Sequence, residues 1–414
     1  MDSQIQKDNV LTSKHFCMLP WVHLHFLPDS TAHYCCVSDA TKPVAKYDGD
    51  ISKIYNAETI KSIRLNMLKD EPSSPCNRCY ELERNKVLSL RQSSNRSYLK
   101  YFDEAAKTND DGSVNEFTMR YLDIRFSNKC NLRCRSCGPF YSSGWYADQI
   151  KMFPSLANTP ALSEVGPKDL FWKDLLPSLG HIEEAYFAGG EPLVTDEVFD
   201  IMDHWLATNN TNVQIGFTTN FTNLGYRAKS ITEYWKKFPK LIVSASLDDS
   251  GERAEYLRKG TKWSKVVENR QRMLERCPAV VFEITPTISV FNIWHFPEFH
   301  YEWLKAGLLK TEDLRLNILT HPDYMSFKII HPKKRIPLIL KWMEYLDLII
   351  EELQISVHHY NKTVEGYRSI IHALKNDPYV DLRKEFFERN DLVDKTREEN
   401  LYAVYPELKE LLAD

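Results

Sequence analysis

The chain has no apolar stretch long enough to span a membrane. Its most apolar later run, 336–355, is interrupted by Lys341, Glu344, Asp347, Glu351 and Glu352, the pattern of an amphipathic surface helix. Residues Met1 to Asp8 are polar and of mixed charge, without the apolar centre of a secretory signal. No excess of basic charge is present, and a net charge of −4 gives no pull toward nucleic acid or an anionic membrane. Phosphate-binding loops, internal repeats and low-complexity segments are missing as well. The expectation is a cytoplasmic globular protein, whose nine cysteines serve as ligands or buried thiols rather than disulfides. A further absence is local. Cys130, Cys134 and Cys137 follow one another as C-x3-C-x2-C, with no fourth cysteine on that loop.

A structural zinc site closes with four ligands, and a 4Fe-4S cluster commonly uses four cysteines. Three thiolates on one loop would leave one iron open to another ligand. Scattered cysteines, or part of a zinc site, are the plainer readings. The loop follows Arg120-Tyr-Leu-Asp-Ile-Arg-Phe126, where Leu122, Ile124 and Phe126 alternate with polar residues as in a strand.

The spacing of these cysteines, with Asn131 after the first and Gly138 after the third, resembles the radical S-adenosylmethionine (SAM) superfamily. There the SAM amino and carboxylate groups fill the open iron position. Ser136 departs from the pattern, which has an aromatic residue before the third cysteine, near the SAM adenine. Ala188-Gly-Gly-Glu-Pro192 is similar to the family's GGEP turn. Gly189 and Gly190 permit close backbone approach, and Glu191 is placed to accept from the SAM ammonium. Thr218-Thr-Asn-Phe221 is similar to its TNG strand end, with Asn220 in the binding set and Phe221 where glycine is usual. Ser246 and Asp248 stand where relatives meet the SAM ribose. Arg258 stands where an arginine meets the SAM carboxylate, for which its planar fork is suited. Against this, Asp248 with Asp249 also reads as a simple cap, and Arg258 as a solvated charge.

Between Tyr121 and about Glu352, strands at 121–126, 182–188, 212–219, 241–247, 280–291 and 314–320 alternate with helices. The helices fall near 195–208, 227–237, 262–275, 296–307 and 334–353. This predicts an α/β fold with a parallel sheet, and the resemblance implies a partial (β/α)6 TIM-like barrel. In such barrels chemistry collects at the carboxyl ends of the strands.

Five cysteines precede this region. Val22-His-Leu-His-Phe26, a turn at Pro28 to Ser30 and a return strand ending at Cys35-Cys36 predict a hairpin. Cys17 lies before it, and Cys76-Asn-Arg-Cys79 opens a helix expected to run to about Tyr101. These pieces resemble the twitch unit, the shortened relative of the SPASM domain, which holds an auxiliary 4Fe-4S cluster but usually follows the barrel. The implied ligands are Cys17, Cys35, Cys76 and Cys79. Cys35 is preferred to Cys36 because it lies five residues after Ser30, which stands at a glycine of the SPASM pattern. A four-cysteine zinc knuckle remains the alternative. His23, His25 and His33 read as solvated or core-edge residues.

The expected domains are 1–106 for the cysteine-rich hairpin-plus-helix unit, 107–117 for a linker, 118–355 for the core and 356–414 for a helical extension without chemistry of its own. Cys277 reads as a buried thiol. The resemblance implies reductive cleavage of SAM to a 5′-deoxyadenosyl radical that takes a substrate hydrogen, with a low-potential donor such as flavodoxin or ferredoxin. Relatives with auxiliary units mostly modify peptides oxidatively. Sixteen residues before Cys17 are few for a leader-binding domain, so a carrier or separate partner is expected. A small molecule or nucleotide is the alternative substrate, and a non-catalytic zinc module the alternative function.

Overall fold

The computed structural model describes residues 6–166, 168–352 and 361–413. It is a mixed α/β protein with a parallel sheet. The chain divides into two compact units, one of 1–128 with 162–216 and one of 129–161 with 217–414. Among the described residues no helix is long and apolar enough to cross a membrane.

In the first unit the strands run in the order Glu184–Phe187, Tyr121–Ile124, His23–Phe26, Thr31–His33, Ala45–Lys46. The hairpin forms as its alternation predicts, with His25 opposite His33. Ser30 takes a φ of 71° at its turn, a left-handed conformation that glycine adopts without strain. The hairpin does not stand apart from the later strands. His23–Phe26 pairs in parallel with Tyr121–Ile124, His23 against Tyr121 and His25 against Asp123.

The expected linker 107–117 is folded into this unit. The buried Arg64 guanidinium donates to the carbonyls of Pro20, at 2.8 Å, and Gly112, and Asn56 donates to the Val114 carbonyl. The expected boundary at 355 lies outside the described residues.

The single helix expected from Cys76 to Tyr101 is two helices, Asn77–Arg84 and Leu90–Tyr98. Lys86 takes a φ of 60° between them, and Ser89 starts the second through a capping box with Gln92.

In the second unit Leu241–Ala245 pairs in parallel with Val281–Ile284, and Thr287–Ile288 with Asn317–Ile318. The strand expected over 280–291 is broken at Pro286, which has no N–H to give a ladder. Helices Trp263–Arg276, Phe296–Lys305 and Ile336–Glu352 fall where the sequence predicts them. The tail is helical over Lys362–Asn376 and Arg383–Arg397, and Tyr367, Ile370 and Leu374 are buried as their spacing implies.

Candidate functional site

The three-cysteine loop lies in the second unit and is pinned at almost every step. The Asn220 side chain donates to Asn131 Oδ1 at 2.9 Å, and Asn131 donates to Thr222 Oγ1 at 2.9 Å. Asn220 therefore positions the residue after Cys130. Phe221 follows with a φ of 59°, a left-handed conformation that glycine takes without strain. Its strain is offset by complete burial, by contact with Phe282 at 5.1 Å and by the Asn269 side chain donating to its carbonyl.

Two glycines missed in the sequence fit tightly against the loop. A Cβ on Gly144 would stand 2.8 Å from the Leu132 carbonyl oxygen, and one on Gly260 3.0 Å from that of Asn131. Ser142 Oγ donates to the Leu132 carbonyl and Trp145 Nε1 to that of Cys134.

Arg133–Cys134 pairs antiparallel with Arg258–Lys259, Arg258 opposite Cys134. Arg258 Nη1 reaches the Cys134 sulfur at 3.6 Å, and Nε donates to Asp248 Oδ2 at 2.8 Å. Burial opposes the Arg258 charge, yet Asp248 and Cys134 outweigh it and hold its pKa above the ordinary value. The solvated reading of Arg258 is thereby corrected. Asp248 is not a simple cap of the next turn either, since Oδ1 accepts from Thr287 N and its carbonyl from Asn292. Ser246 is half-buried and hydrogen-bonds through its backbone N to the Thr219 carbonyl.

Burial raises the Cys134 thiol, and raises that of Cys137 to about 11, with Cys134 itself the second cause. Gly138 beside them faces open space, a Cβ there meeting nothing within 4 Å. Three thiols on one pinned loop, with a cation against Cys134, make a donor set for a group that takes three protein ligands.

The tail, read as carrying no chemistry, holds this loop from behind. Arg135 is buried, stacks on Tyr256 at 3.6 Å and donates to Asn390, Asp394 and Glu399. Asp148 accepts from both Arg133 and Arg397, the latter at 2.8 Å. A cavity of about 310 Å³ opens beside Cys137 and Gly138, lined chiefly by Trp145, Met152, Phe153, Met325 and Val393. Nothing in the sequence pairs the Arg133 carbonyl with Arg397, or Arg135 with Asn390, more than 250 positions away.

In the first unit, the GGEP turn has Gly189 at a φ of 128°. Glu191 is buried and accepts from Leu193 N at 3.1 Å, and Gly190 N donates to the Ser127 carbonyl.

The same unit collects the early cysteines. Arg91 and Asn95 both donate to the Phe16 carbonyl, and Asn95 accepts from Met18 N, so the residues flanking Cys17 are fixed. Burial raises the Cys17 thiol, and the next sulfurs acting on it are Cys76 and Cys79. Burial likewise raises Cys35, followed by Cys36, Cys17 and Cys76. For Cys36 the neighbours after desolvation are Asp123 and Arg125 instead. The four preferred cysteines thus lie within electrostatic reach of one another in part, Cys17 with Cys76 and Cys79, and Cys35 with Cys17 and Cys76, while Cys36 also feels Asp123 and Arg125. Among the described residues no three His, Cys, Asp or Glu side chains converge on a single metal-ion position.

The three histidines are neither solvated nor at the core edge. Strand register places His23 and His25 on one face with Tyr121, Asp123 and Arg125, because paired residues in a parallel ladder point the same way. Glu184, opposite Tyr121, lies on that face too. The other face carries Leu24, Phe26, Leu122 and Ile124, and Phe26 packs on Phe171 of helix Lys168–Leu179. His23 and Asp123 are 0% exposed. A buried sheet face made of titratable side chains is the feature that sequence reasoning missed.

No family model matches the chain. A GTP 3',8-cyclase of Paenarthrobacter nicotinovorans is 32% identical over 115 residues, which are 27% of this chain and 29% of the cyclase. The chain therefore matches less than a third of that relative's length. Among solved structures, anSMEcpe with bound AdoMet and a Kp18Cys peptide gives a TM-score of 0.39 at 18% identity, over 57% of this chain and 62% of that one. Streptococcus suis SuiB bound to precursor peptide SuiA gives 0.35 at 15% identity, over 79% of this chain and 70% of that one.

Proposed function

We infer that this chain is a radical SAM enzyme built on a partial (β/α)6 barrel, and that it oxidatively modifies a peptide or protein. The observation that carries the class is the pinned loop that bears Cys130, Cys134 and Cys137 as C-x3-C-x2-C without a fourth thiol, with Arg258 against Cys134. The short match to the GTP 3',8-cyclase supports the same class. A 4Fe-4S cluster on those cysteines would supply the electron that cleaves SAM to methionine and a 5′-deoxyadenosyl radical. Asn220 and Gly260 hold the loop's shape, and Arg258 sets a positive charge beside Cys134, which favours thiolate over thiol. Gly189, Gly190 and Glu191 would receive the SAM ammonium, and Ser246 and Asp248 the ribose. Arg258, bound to Asp248 through Nε, would meet the SAM carboxylate through its remaining edge. Cys17, Cys35, Cys76 and Cys79 would hold the auxiliary cluster, and a flavodoxin or ferredoxin would supply electrons.

The peptide reading rests on the gathered early cysteines, since auxiliary units accompany oxidation of the substrate. Reduced, reconstituted protein is expected to release 5′-deoxyadenosine from SAM slowly without substrate. S-adenosylhomocysteine should not accumulate. Its stoichiometric appearance would identify a methyltransferase, and colourless protein with zinc in place of iron would identify a zinc module.

A further inference from the structure

The cavity beside Cys137 and Gly138 has no part in the assignments above. Its volume is about 310 Å³, and it lies wholly within the second unit. None of Asn220, Ser246, Asp248 and Arg258, the residues of that unit assigned to SAM, lines it. Protein interiors are close-packed and keep few voids larger than a water molecule, whereas pockets for small molecules begin at about 300 Å³. The space therefore suits one side chain or a small ring, not an extended chain.

Its walls are tied in place. Gln149 and Met152 come from helix Tyr146–Met152, and Arg389, Asn390 and Val393 from helix Arg383–Arg397. Arg397 Nε joins the two helices by donating to Asp148 Oδ2 at 2.8 Å, and Arg135 Nη1 reaches Asn390 Oδ1 from the cysteine loop at 2.7 Å. A site shaped before its occupant arrives loses less freedom on binding.

The lining chooses among occupants. Trp145 and Phe153 supply aromatic surface, and Met152 and Met325 supply thioethers. Ring and sulfur contacts favour an aromatic guest over an aliphatic one of similar size. Phe153 is itself exposed, as are Phe140 and Tyr141, which follow Pro139 of the wall, and clustered exposed apolar side chains mark binding surfaces. Two lining residues carry charge, and both are arginines. Arg135 spends its fork on Asn390, Asp394 and Glu399. Arg389 is 58% exposed, and its ion pair with Glu385 is 3.7 Å long, too long for a hydrogen bond. The charge left for an occupant to meet is positive.

We propose that this cavity binds an aromatic side chain of the substrate, with Arg389 meeting a carboxylate close to it in the substrate chain. That carboxylate belongs either to a carboxyl-terminal aromatic residue or to an acidic residue that follows an interior one. This deepens the peptide reading above and rests on it for the origin of the guest, whereas the binding itself needs neither SAM nor reduction.

The test uses the anaerobically reconstituted full chain labelled with 13C at the methionine methyl groups. The Met152 and Met325 signals are assigned by their loss in Met152→Leu and Met325→Leu. The probes are N-acetylphenylalanine for a chain end and the doubly blocked dipeptide of phenylalanine and aspartate for an interior residue. Each is compared with its carboxamide counterpart, and N-acetylleucine serves as an acid without a ring. Saturable movement of both methyl signals by an acid-bearing aromatic probe is expected, and the tighter of the two distinguishes chain end from interior. Because Arg389 is exposed, the carboxamide should bind only about threefold more weakly, and Arg389→Gln should remove that difference. Unmoved signals with both acid-bearing aromatic probes overturn the proposal. Equally tight binding of N-acetylleucine or of the carboxamides does so too, as does a preference for the acid that survives in Arg389→Gln. Binding by a protein that cleaves no SAM would sink the radical SAM reading alone, and SAM cleavage with unmoved signals would sink the cavity proposal alone.

Discussion

Alanine at Cys130, Cys134 and Cys137 together is expected to abolish release of 5′-deoxyadenosine while leaving about four irons per chain. The two results separate because the early cysteines gather in a different compact unit from the loop. Loss of all iron would mean that the early cysteines hold no cluster of their own. Robust SAM cleavage by the triple variant would end the assignment of the loop. Within the early set, Cys35→Ala should lower the iron content of the triple variant more than Cys36→Ala. The sulfurs acting on Cys35 include Cys17 and Cys76, whereas Cys36 is placed toward Asp123 and Arg125.

The second large effect is on stability. Arg135→Met removes a cation that is 1% exposed and leaves Asp394 and Glu399 without it, at 11% and 13% exposed. Breaking a buried pair from one side costs about 3–5 kcal/mol, toward the low end here because Glu399 keeps Lys259 and Asp394 keeps the Tyr256 hydroxyl and Leu401 N. The Tyr256 stacking and the Asn390 bond go with it. Arg135→Lys should recover part of the loss, because an ammonium restores the charge but not the four-partner fork. Denaturant midpoints of apo protein measure both. An Arg135→Met protein within about 1 kcal/mol of wild type would show that the tail does not hold the loop.

The cysteine loop and the order of strands and helices were legible because they are local. The C-x3-C-x2-C spacing and the alternation at Leu122, Ile124 and Phe126 lie within a few residues of each other. The buried histidines were not legible for a physical reason. His23 and His25 alternating with Leu24 and Phe26 is also the pattern of a sheet with one wet face. Only the folded chain, which pairs His23–Phe26 with Tyr121–Ile124 nearly a hundred positions on and buries His23 and His25 as well as Leu24 and Phe26, shows that both faces are covered. The helix expected to reach Tyr101 is interrupted at Ser89, where the local Ser-x-x-Gln of its capping box with Gln92 starts a second helix. Asp248 and Arg258 each match a SAM-binding position, and ten residues of separation alone do not show that they bond to each other. Their pairing follows from a turn that returns Arg258 to Cys134.

The hold of Asp394, Arg397 and Glu399 on the cysteine loop also sets an order of events during synthesis. Cys130 to Cys137 leave the ribosome about 250 residues before the helix that secures Arg133 and Arg135. Contacts so distant in sequence form late, after the entropy of closing a long loop has been met. The thiols would then spend the interval on an unsecured loop, open to oxidation and to wrong metals. Stalling translation near residue 380 and then releasing it, with iron and sulfide supplied before or after release, checks this order. Equal cluster content on the loop from both schedules would mean that it needs no help from the tail.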